Sequence, residues 1–558
     1  MDEQLVSPIV EILLRKLQYL RKQKVPLGRD GGDNIELERL ETILSSIQVV
    51  LLDAEKLQCY YLNLRSWLKK LKDACYDAED TLEELEIEAL HDRQLKKDQS
   101  TRSKAGKRDI DKEDIIKLLM QNDDLDVYEN NIQISGPSDH GFNNITLTQF
   151  WMAHGLLQSD DENHEEPESI GMRYIDELRR RGLFQDFEHN FDFISFKMHQ
   201  LVHDLATQMA PNDCFIMDSG EAYNSSHKTY RHLSVVEAGL VQKKLFGNKM
   251  IRSILFFEMF RPSQSLIRSC ISEHPNLRVL DFRNSDMEVL PESTGKLKHL
   301  RYLNLTKNIR IKRLPKSIFM LTSLETLLLG GCKVLEELPR DISRLVNLRM
   351  LVFSSKQSSL PEKGIGCLTS LRRLGIGSCY NLEYLFEDIG SLKALQTLII
   401  GDCPKLVSLP PGVKDLSSLE NLMLSDSEKS SKCNLQSIKP HLRMLCIDGL
   451  PEFNELPQLL LQCSANSLRW LAIKNCPNFK GLPAETLPIL KSLEVLEISN
   501  CPKFASLPED MHGLTAMREL KVRDCPDLSK RCKRDTGEDW TKISHIPKIE
   551  IHDNPKNK

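Results

Sequence analysis

The chain has 558 residues, of which 40% are hydrophobic and 28% are charged, a composition typical of soluble globular proteins. This length exceeds one compact core, so we expect several domains or a repeat architecture. The formal net charge of −5 argues against a general nucleic-acid-binding protein, because phosphate recognition requires an excess of Lys and Arg on one face.

The chain shows no targeting or membrane segment. Its N-terminus, Met1-Asp-Glu-Gln4, is acidic where a secretory signal is basic, and no apolar run reaches membrane-spanning length. We therefore expect a cytoplasmic protein, and nothing in the sequence indicates association with a membrane.

Amphipathic helices are predicted throughout residues 1–100. The first runs from residue 5 to about residue 20 and ends before Pro26, since proline breaks helical geometry. Apolar residues then recur at threes and fours from Leu37 to Ala54 and from Leu64 to Leu85. Together these stripes predict an N-terminal helical bundle.

The last of these stripes carries the acidic run Asp77-Ala-Glu-Asp-Thr-Leu-Glu-Glu84. Four residues of this run are candidates for docking on the C-terminal part of the chain: Glu79, Asp80, Glu83 and Glu84. Charge patterning alone is equally compatible with a solvated helix surface.

Residues 101–144 are predicted to be a linker. It contains Asp109-Ile-Asp-Lys-Glu-Asp-Ile-Ile-Lys-Leu-Leu119 and then becomes polar and irregular. The motif Gly-x-x-x-x-Gly-Lys-[Ser/Thr] occurs nowhere in the chain. A phosphate cradle needs those glycines for close backbone approach and the lysine for charge, so no nucleotide cofactor is expected.

A second domain is predicted over residues 145–212. It begins with Leu147-Thr-Gln-Phe-Trp-Met-Ala-His-Gly-Leu-Leu157, continues with a helix around residues 170–181 and reaches the alternating stretch Phe191–Met198, which is typical of a strand. The run Met198-His-Gln-Leu-Val-His-Asp-Leu-Ala206 follows.

Two histidines in that last run raise the question of a metal site. His199 and His203 lie four residues apart, as zinc ligands can, but Gln200 stands where a metalloprotease needs Glu. A pair of histidines is also too few for a site, so no metal is expected. Since residues 198–210 contain no Lys or Arg, DNA binding is not expected either.

The C-terminal half repeats one leucine phrase at steps of 23 to 26 residues. The first copy is Leu277-x-x-Leu280-x-Phe282 and the last is Met517-x-x-Leu520-x-Val522. The copies between them begin at Leu300, Leu324, Leu348, Leu371, Leu395, Leu419, Leu442, Leu468 and Leu493. This is the period of a leucine-rich repeat, whose units must stack to bury a core. We therefore predict a horseshoe over residues 228–558, and a multidomain α + α/β solenoid fold for the whole chain.

Six cysteines follow the strands of these repeats by three residues: Cys332, Cys379, Cys403, Cys476, Cys501 and Cys525. Stacking places them side by side, where reduced buried thiols behave as small hydrophobes. Paired Cys-x-x-Cys spacing is absent, so the row is predicted to be structural rather than metal-binding.

Position two of the phrase is arginine in seven of eleven repeats: Arg278, Arg301, Arg349, Arg372, Arg443, Arg469 and Arg518. These side chains line the rim where the strands begin. One interpretation is a solvated edge with snorkelled side chains. The other is an edge for acidic partners, because arginine pairs carboxylates in a planar fork. An exposed ion pair contributes only about 0.2–1 kcal/mol, so a row is needed to hold a docked element.

Three segments resemble the plant coiled-coil NLR immune receptors. Trp67-Leu-Lys-Lys-Leu-Lys-Asp-Ala-Cys-Tyr-Asp-Ala-Glu-Asp80 looks like the N-terminal domain of that family, and Glu79-Asp-Thr-Leu-Glu83 is similar to its Glu-Asp-Val-Ile-Asp motif. The segment 147–157 resembles the family's winged-helix domain, and the segment 109–119 looks like the approach to its nucleotide-binding module.

The resemblance implies that the acidic motif docks on arginines of the repeats, with Arg278, Arg301, Arg349 and Arg372 as candidates. The run at 198–206 matches the family's Met-His-Asp motif except at Gln200, so His199 would inherit a contact to ADP. The family binds ADP or ATP with magnesium, but only about 25 residues separate segment 109–119 from residue 145 here, and the nucleotide-binding module is missing.

We therefore expect a non-enzymatic plant disease-resistance protein without a working nucleotide switch. Its repeats would recognise a pathogen effector or a guarded host protein, and its coiled coil would bind a partner or self-associate. Two alternatives stay open: an ADP/ATP switch whose nucleotide-binding segment is missing from the gene model, and a nonfunctional repeat scaffold.

Overall fold

The computed structural model describes residues 6–22, 33–57, 68, 71–83, 142–157, 165–199, 202, 214–217, 230–235, 250–256, 261–426, 441–483 and 489–552. Nearly all of the predicted linker lies outside these residues, and so do Glu84, Gln200 and His203.

An N-terminal helical bundle packs three helices, α1 (Ser7–Lys22), α2 (Asp33–Leu57) and α3 (residues 71–83). Their shared core contains Leu13, Leu44 and Cys75, as the apolar stripes predicted. Val50, which the second stripe included, is instead 58% exposed. An α-helix has 3.6 residues per turn, so residues seven apart, such as Leu44 and Leu51, share a face of α2. Val50 lies off that face.

The carboxylate of Glu55 fixes the start of α1. Its Oε1 accepts hydrogen bonds from the backbone N–H groups of Val6 at 2.6 Å and Ser7 at 2.7 Å. Helix N-termini carry unpaired N–H groups and partial positive charge, so a carboxylate there is stabilising.

A second domain combines β1 (Phe142–Asn143), α4 (Asn144–Ala153), α5 (Pro167–Arg180), β2 (Phe184–His189) and β3 (Ile194–Met198). The strands form an antiparallel sheet in the order β1-β3-β2. Asn143 caps α4 by accepting a hydrogen bond from the Thr146 N–H at 2.7 Å. The helix predicted around 170–181 and the strand predicted in the stretch 191–198 are confirmed.

The rest of the described chain is a parallel sheet of fifteen strands stacked in sequence order. The strands are β4 Cys214–Met217, β5 His232–Val235, β6 Ser253–Phe256, β7 Val279–Asp281, β8 Tyr302–Asn304, β9 Thr326–Leu329, β10 Met350–Phe353, β11 Arg373–Gly377, β12 Thr397–Gly401, β13 Asn421–Ser425, β14 Met444–Asp448, β15 Trp470–Lys474, β16 Val495–Ser499, β17 Glu519–Arg523 and β18 Lys548–His552.

The sheet confirms the predicted fold class and register. Leu327, for example, pairs with Leu303 on one side and Leu351 on the other, and all three are fully buried. The sheet also extends beyond the predicted repeats. It begins at residue 214 rather than 228, and β4, β5, β6 and β18 lack the full leucine phrase that marks the other strands.

The returning segments are mostly short 3-10 helices: Glu292–Lys296, Lys316–Met320, Arg340–Arg344, Ile365–Cys367, Glu387–Ser391, Pro411–Asp415 and Glu509–Gly513. Five of these begin directly after a proline of a Leu-Pro pair: Pro291, Pro315, Pro339, Pro410 and Pro508. Proline fixes φ and cannot donate, which suits the residue preceding a helical turn. α-Helices occur at α6 Gln264–Glu273, α7 Gln458–Cys463, α8 Pro526–Arg531 and α9 Trp540–Ile543.

The six cysteines of the predicted row are all buried and free. The residue before each of them turns the chain inward with positive φ: Gly331, Ser378, Asp402, Asn475, Asn500 and Asp524. The thiols then lie near backbone carbonyls, as Cys332 Sγ does at 3.2 Å from the Leu305 oxygen. Burial raises the pKa of Cys332 to about 12, which makes the thiol unreactive. The structural interpretation of the row is confirmed.

Candidate functional site

Helix α3 has an apolar face and an acidic face. Leu71, Cys75, Ala78 and Leu82 lie in the bundle core. The acidic face, at spacings of three and four residues, consists of Asp73, Tyr76, Glu79, Asp80 and Glu83, and these residues contact the repeat domain.

Four arginines receive this acidic face, each standing directly before a strand: Arg231, Arg252, Arg278 and Arg301. Parallel pairing aligns them across neighbouring strands. The Arg252 N–H donates to the Arg231 carbonyl at 2.7 Å, the Arg278 N–H to Arg252 at 2.7 Å, and the Arg301 N–H to Arg278 at 2.9 Å. We call all arginines at this strand-start position the arginine rim.

Arg278 is the centre of the cluster. Its Nη1 lies 3.3 Å from Glu79 Oε1, and its Nη2 lies 3.1 Å from Asp80 Oδ1 and 3.0 Å from Glu83 Oε2. Arg301 binds the other oxygen of Glu83. The side chains of Arg278, Glu79 and Glu83 are no more than 3% exposed, so the acidic run is not a solvated helix surface.

Arg231 and Arg252 were not predicted. Arg252 Nη2 lies 3.0 Å from both oxygens of Asp80, and its guanidinium lies 4.3 Å from the Tyr76 ring centroid. Arg231 pairs with Asp73 and also contacts the Tyr76 ring. Each directly follows Tyr230 or Ile251, which stands where the phrase has its first Leu, so the leucine phrase does not mark these two positions.

The positive charges of the cluster lower the pKa values of Glu79 and Glu83. Burial alone raises the pKa of Glu79, but the charges of Arg278, Lys16 and Arg252 outweigh burial and hold that pKa well below its ordinary value. For Glu83, Arg278 and Arg301 likewise overcome burial and lower the pKa. Both carboxylates are therefore ionised at neutral pH.

One group in the cluster has donors of the type that bind metal ions. Asp80, Glu83 and His299 offer ligand atoms within 4.8 Å of one another. Arg278 and Arg301 already pair with Glu83, and Lys16 Nζ lies 3.0 Å from Glu79 Oε1. A further cation would face these three positive charges, so the arrangement suits guanidinium binding rather than a metal.

The prediction that Arg349 and Arg372 hold the acidic helix is wrong. Arg349 Nε lies 2.7 Å from Glu168 Oε1, and Arg372 Nη2 lies 2.8 Å from Glu166 Oε1, so both bind the second domain instead. Strands stack about 4.8 Å apart, which places Arg349 roughly 14 Å from Arg278. Glu83, the last described residue of α3, already binds Arg301, and Arg349 stands two strands farther along the sheet.

The second domain also packs on the concave face of the sheet. Phe150 of α4 meets Tyr302 edge-on with ring centroids 4.7 Å apart, and Gln149 hydrogen-bonds to Thr326. Phe150, Ala153, Val279 and Tyr302 form one small buried cluster. Aromatic pairs of this kind contribute about 0.5–1.5 kcal/mol beyond burial.

The end of α4 joins all three domains. His154 Nε2 lies 2.8 Å from Ser253 Oγ, which lies 3.1 Å from His232 Nδ1, and the His154 carbonyl accepts a hydrogen bond from Arg278. Burial, with the charges of Arg231 and Arg252 adding to it, lowers the pKa of His232 to about 3. Burial and the charge of His232 also lower the pKa of His154 well below its ordinary value. Both rings are neutral at physiological pH.

His199, the predicted contact to a nucleotide, follows β3. Its backbone N–H donates to the Leu183 carbonyl at 3.0 Å, next to the paired residues Met198 and Phe184. This position is the end of an antiparallel strand pair, and the sequence supplies no phosphate-binding loop. The residues present do not fit a nucleotide site.

Across the parts of the chain that the structure covers, no helix combines the length and the apolar character needed to cross a bilayer.

Three family models match the chain. Residues 9–109 match the Rx N-terminal domain, residues 137–206 match the Disease resistance protein Winged helix domain, and residues 250–475 match the Leucine-rich repeat region.

Curated relatives carry matching descriptions. The chain is 36% identical over 177 residues to the putative disease resistance protein RGA1 of Solanum bulbocastanum. This match covers 32% of this chain and 15% of that protein. It is 29% identical over 276 residues to disease resistance protein RGA5 of Oryza sativa subsp. japonica, which covers 45% of this chain and 23% of that protein. The matched segments thus span less than a quarter of either relative. Among solved structures, an LRR protein of Leptospira interrogans is similar at 22% identity with a TM-score of 0.36, covering 57% of this chain and 89% of that one.

Proposed function

We propose that the chain is an immune-receptor-type protein of the plant coiled-coil NLR family of disease resistance proteins that lacks the nucleotide-binding module. In this proposal its leucine-rich repeats recognise a pathogen effector or a guarded host protein. It acts by binding alone, without catalysis and without a nucleotide switch. The buried free thiols of the repeat row support a reducing compartment, and we place the protein in the cytoplasm.

One observation carries the proposal: the N-terminal helical bundle is held on the repeats by a buried cluster of opposite charges. Glu79 and Glu83 meet Arg278 at 3.0–3.3 Å with almost no exposure to solvent. Removing one partner from such a pair costs about 3–5 kcal/mol, because the other charge stays buried without compensation. The docked arrangement therefore depends on both partners being present.

A docked bundle offers a direct way to couple recognition to signalling. The same sheet that holds the bundle through Arg278 also offers a recognition surface farther along its rim. A partner that binds the undocked state more tightly shifts the population toward it by that difference in affinity. In the absence of a nucleotide module, this balance of binding energies is the regulation that we propose.

The docking is tested on the full chain with a site for a specific protease inserted within residues 101–137. After cleavage, the N-terminal fragment should remain bound to the rest of the protein during gel filtration. Arg278→Glu places a negative charge against Glu79 and Glu83 and should release the fragment. Arg443→Glu, at an exposed rim position, is the matched control and should leave it bound. Release of the wild-type fragment, or equal behaviour of the two variants, would refute docking.

The immune role is tested by transient expression in leaf tissue, with ion leakage as the measure of cell death. We expect a silent wild-type chain and a response from Arg278→Glu, since that variant frees the helical bundle. Comparable protein levels must be shown by immunoblot. If the undocked variant stays silent alone and with co-expressed candidate effectors, the receptor role is refuted even where the docking holds.

A further inference from the structure

Rim arginines on adjacent strands form a run of four, Arg231, Arg252, Arg278 and Arg301, and two separate pairs, Arg349 with Arg372 and Arg443 with Arg469. Arg278 with Arg301 (the first pair) and Arg349 with Arg372 (the second pair) each hold one carboxylate from another domain. Arg278 and Arg301 share Glu83, whose Oε2 lies 3.0 Å from Arg278 while Oε1 binds Arg301. Each oxygen of this carboxylate thus takes one guanidinium.

The second pair repeats this geometry farther along the sheet. Arg349 binds Oε2 of Glu166, and Arg372 Nη2 lies 2.8 Å from Oε1 of the same residue. Glu166 belongs to the second domain, so two unrelated segments use the same arrangement. We call a pair of adjacent rim arginines that can share one carboxylate a clamp.

Arg443 and Arg469 form the third pair. The Arg469 N–H donates to the Arg443 carbonyl at 2.8 Å, against 2.9 Å and 2.7 Å for the equivalent bonds in the first two pairs. Their side chains are 49% and 56% exposed, whereas those of Arg349 and Arg372 are 17% and 16% exposed. The backbone arrangement is therefore the same in the three pairs, but the side chains of the third pair are much more exposed to solvent than those of the second.

Among the residues that the structure describes, the third pair forms side-chain ion pairs only with glutamates at the starts of the neighbouring strands. Arg443 lies 3.2 Å from Glu420, and Arg469 lies 3.4 Å from Glu494. The two glutamates lie on opposite sides of the pair, so neither stands between the two arginines. Such flanking contacts leave a clamp usable, because Arg301 keeps a flanking contact to Glu325 at 3.5 Å while it binds Glu83.

A largely apolar floor lies beside the third pair, with Lys521 Nζ 5.6 Å from the Trp470 ring centroid. Met444, Trp470 and Val495 are register neighbours on three successive strands, and each is only partly buried. The indole N–H of Trp470 is inaccessible to solvent and has no hydrogen-bond partner among the described residues. Trp470 follows Arg469 as Tyr302 follows Arg301, and Tyr302 receives Phe150 of the second domain.

We propose that Arg443 and Arg469, with the floor of Met444, Trp470 and Val495, bind an acidic segment of another protein. One carboxylate lies between the two guanidiniums, and an apolar side chain of the same segment covers Trp470. This inference rests on the proposed recognition by the repeats and names the class of partner. The flanking Glu420 and Glu494 oppose a continuous polyanion, so the site fits single carboxylates rather than a nucleic-acid backbone.

The test uses the full chain and a fluorescently labelled 12-residue peptide in which Glu alternates with Leu or Phe. Fluorescence anisotropy measures its affinity for the wild type and for Arg443→Gln/Arg469→Gln. Hydrogen bonds to charged groups are strong enough that losing two should weaken binding by at least about tenfold. Arg340→Gln/Arg344→Gln, two exposed arginines on a returning 3-10 helix, is the matched control and should bind as the wild type does.

Two further peptides separate the contributions. A Gln-for-Glu analogue should lose binding because it lacks the carboxylate, and a Ser-for-Leu/Phe analogue should lose it because the floor is not covered. Trp470→Ala removes the ring from the floor and should weaken binding by a few fold.

Equal affinity of the wild type and Arg443→Gln/Arg469→Gln refutes the site, as does equal binding of the Gln analogue. If a single-stranded oligonucleotide displaces the labelled peptide as well as the unlabelled peptide does, the surface binds anions nonspecifically, and the proposed site is refuted too. The cleaved-linker assay of the same double variant keeps the two proposals apart. Retention of the N-terminal fragment shows that docking is intact whatever happens at this site.

Discussion

Nη2 of Arg278 lies 3.0 Å from Oε2 of Glu83, which precedes it by 195 residues, and the two side chains are 1% and 2% exposed. This long-range contact joins the N-terminal bundle to the repeat sheet without solvent between the charges. Because both charges are buried, neither can be removed without leaving the other unpaired, and the docked arrangement depends on both.

Replacing Arg278 by methionine should loosen the bundle strongly. Arg278→Met removes the guanidinium that pairs with both Glu79 and Glu83. Because these carboxylates stay buried, we expect a loss of about 3–5 kcal/mol of docking free energy. Hydrogen exchange of the amides in residues 71–83 measures this as faster exchange. Arg443→Met, at a side chain 49% exposed, should change exchange little. Equal exchange in the two variants would contradict the central role of Arg278.

The two domain contacts should respond differently to salt. The bundle contact is nearly solvent-free, whereas Glu166 is 40% exposed beside Arg349 and Arg372. Exposed pairs are screened at a Debye length of about 8–10 Å, and buried pairs are screened much less. Raising salt should therefore increase exchange around Glu166 and Glu168 before it affects residues 71–83. The reverse order would contradict the burial described here.

Acidification should weaken the three-domain junction in two steps. His232 has a folded pKa of about 3 against an ordinary value of 6.5, so its stabilising contribution is present above pH 6.5 and is lost progressively as pH falls below it. His154 is shifted in the same direction. Each group can remove up to about 1.4 kcal/mol per pH unit within this window.

The carboxylates act at lower pH. The pKa values of Glu79 and Glu83 are held below their ordinary 4.5, so their contribution is present above 4.5 and is lost as pH falls through the folded values. Thermal melts from pH 7 to pH 3 measure both steps. His232→Gln should flatten the first step and leave the second, and an unchanged profile would contradict the assignment.

Core leucines of the repeats should carry most of the stability. Leu327, Leu398 and Leu471 are fully buried, and each change to Ala should cost about 2–5 kcal/mol. Val407→Ala is the control, since Val407 is 51% exposed and its loss leaves no cavity. Thermal unfolding ranks the variants, and a larger effect at Val407 would show that the register is wrong.

The purified protein should bind neither ADP nor ATP. The chain has no phosphate-binding loop, and His199 lies at the end of a strand pair. Isothermal titration calorimetry with magnesium present should show no binding heat for the wild type or for His199→Ala. Micromolar binding that His199→Ala weakens would contradict this prediction.

Local patterns in the sequence determined the architecture. A leucine phrase such as Leu324-x-x-Leu327-x-Leu329 fixes a strand, its period fixes the stacking, and helical spacing of apolar residues identifies α1 to α3. These features depend on which side chains must be buried. The buried positions recur with a short period, so neighbouring residues in the sequence are enough to identify them. Strands β5 and β6 were missed because Tyr230 and Ile251 stand where the phrase has Leu.

Only the tertiary structure decided which carboxylate meets which arginine. All rim arginines look alike in sequence, yet Arg278 and Arg301 take Glu83 while Arg349 and Arg372 take Glu166. The choice depends on where two separate domains come to rest along a sheet with strands about 4.8 Å apart. Burial decided how much each contact matters, because a charge that the packed domains remove from water depends on its partner more than an exposed charge does.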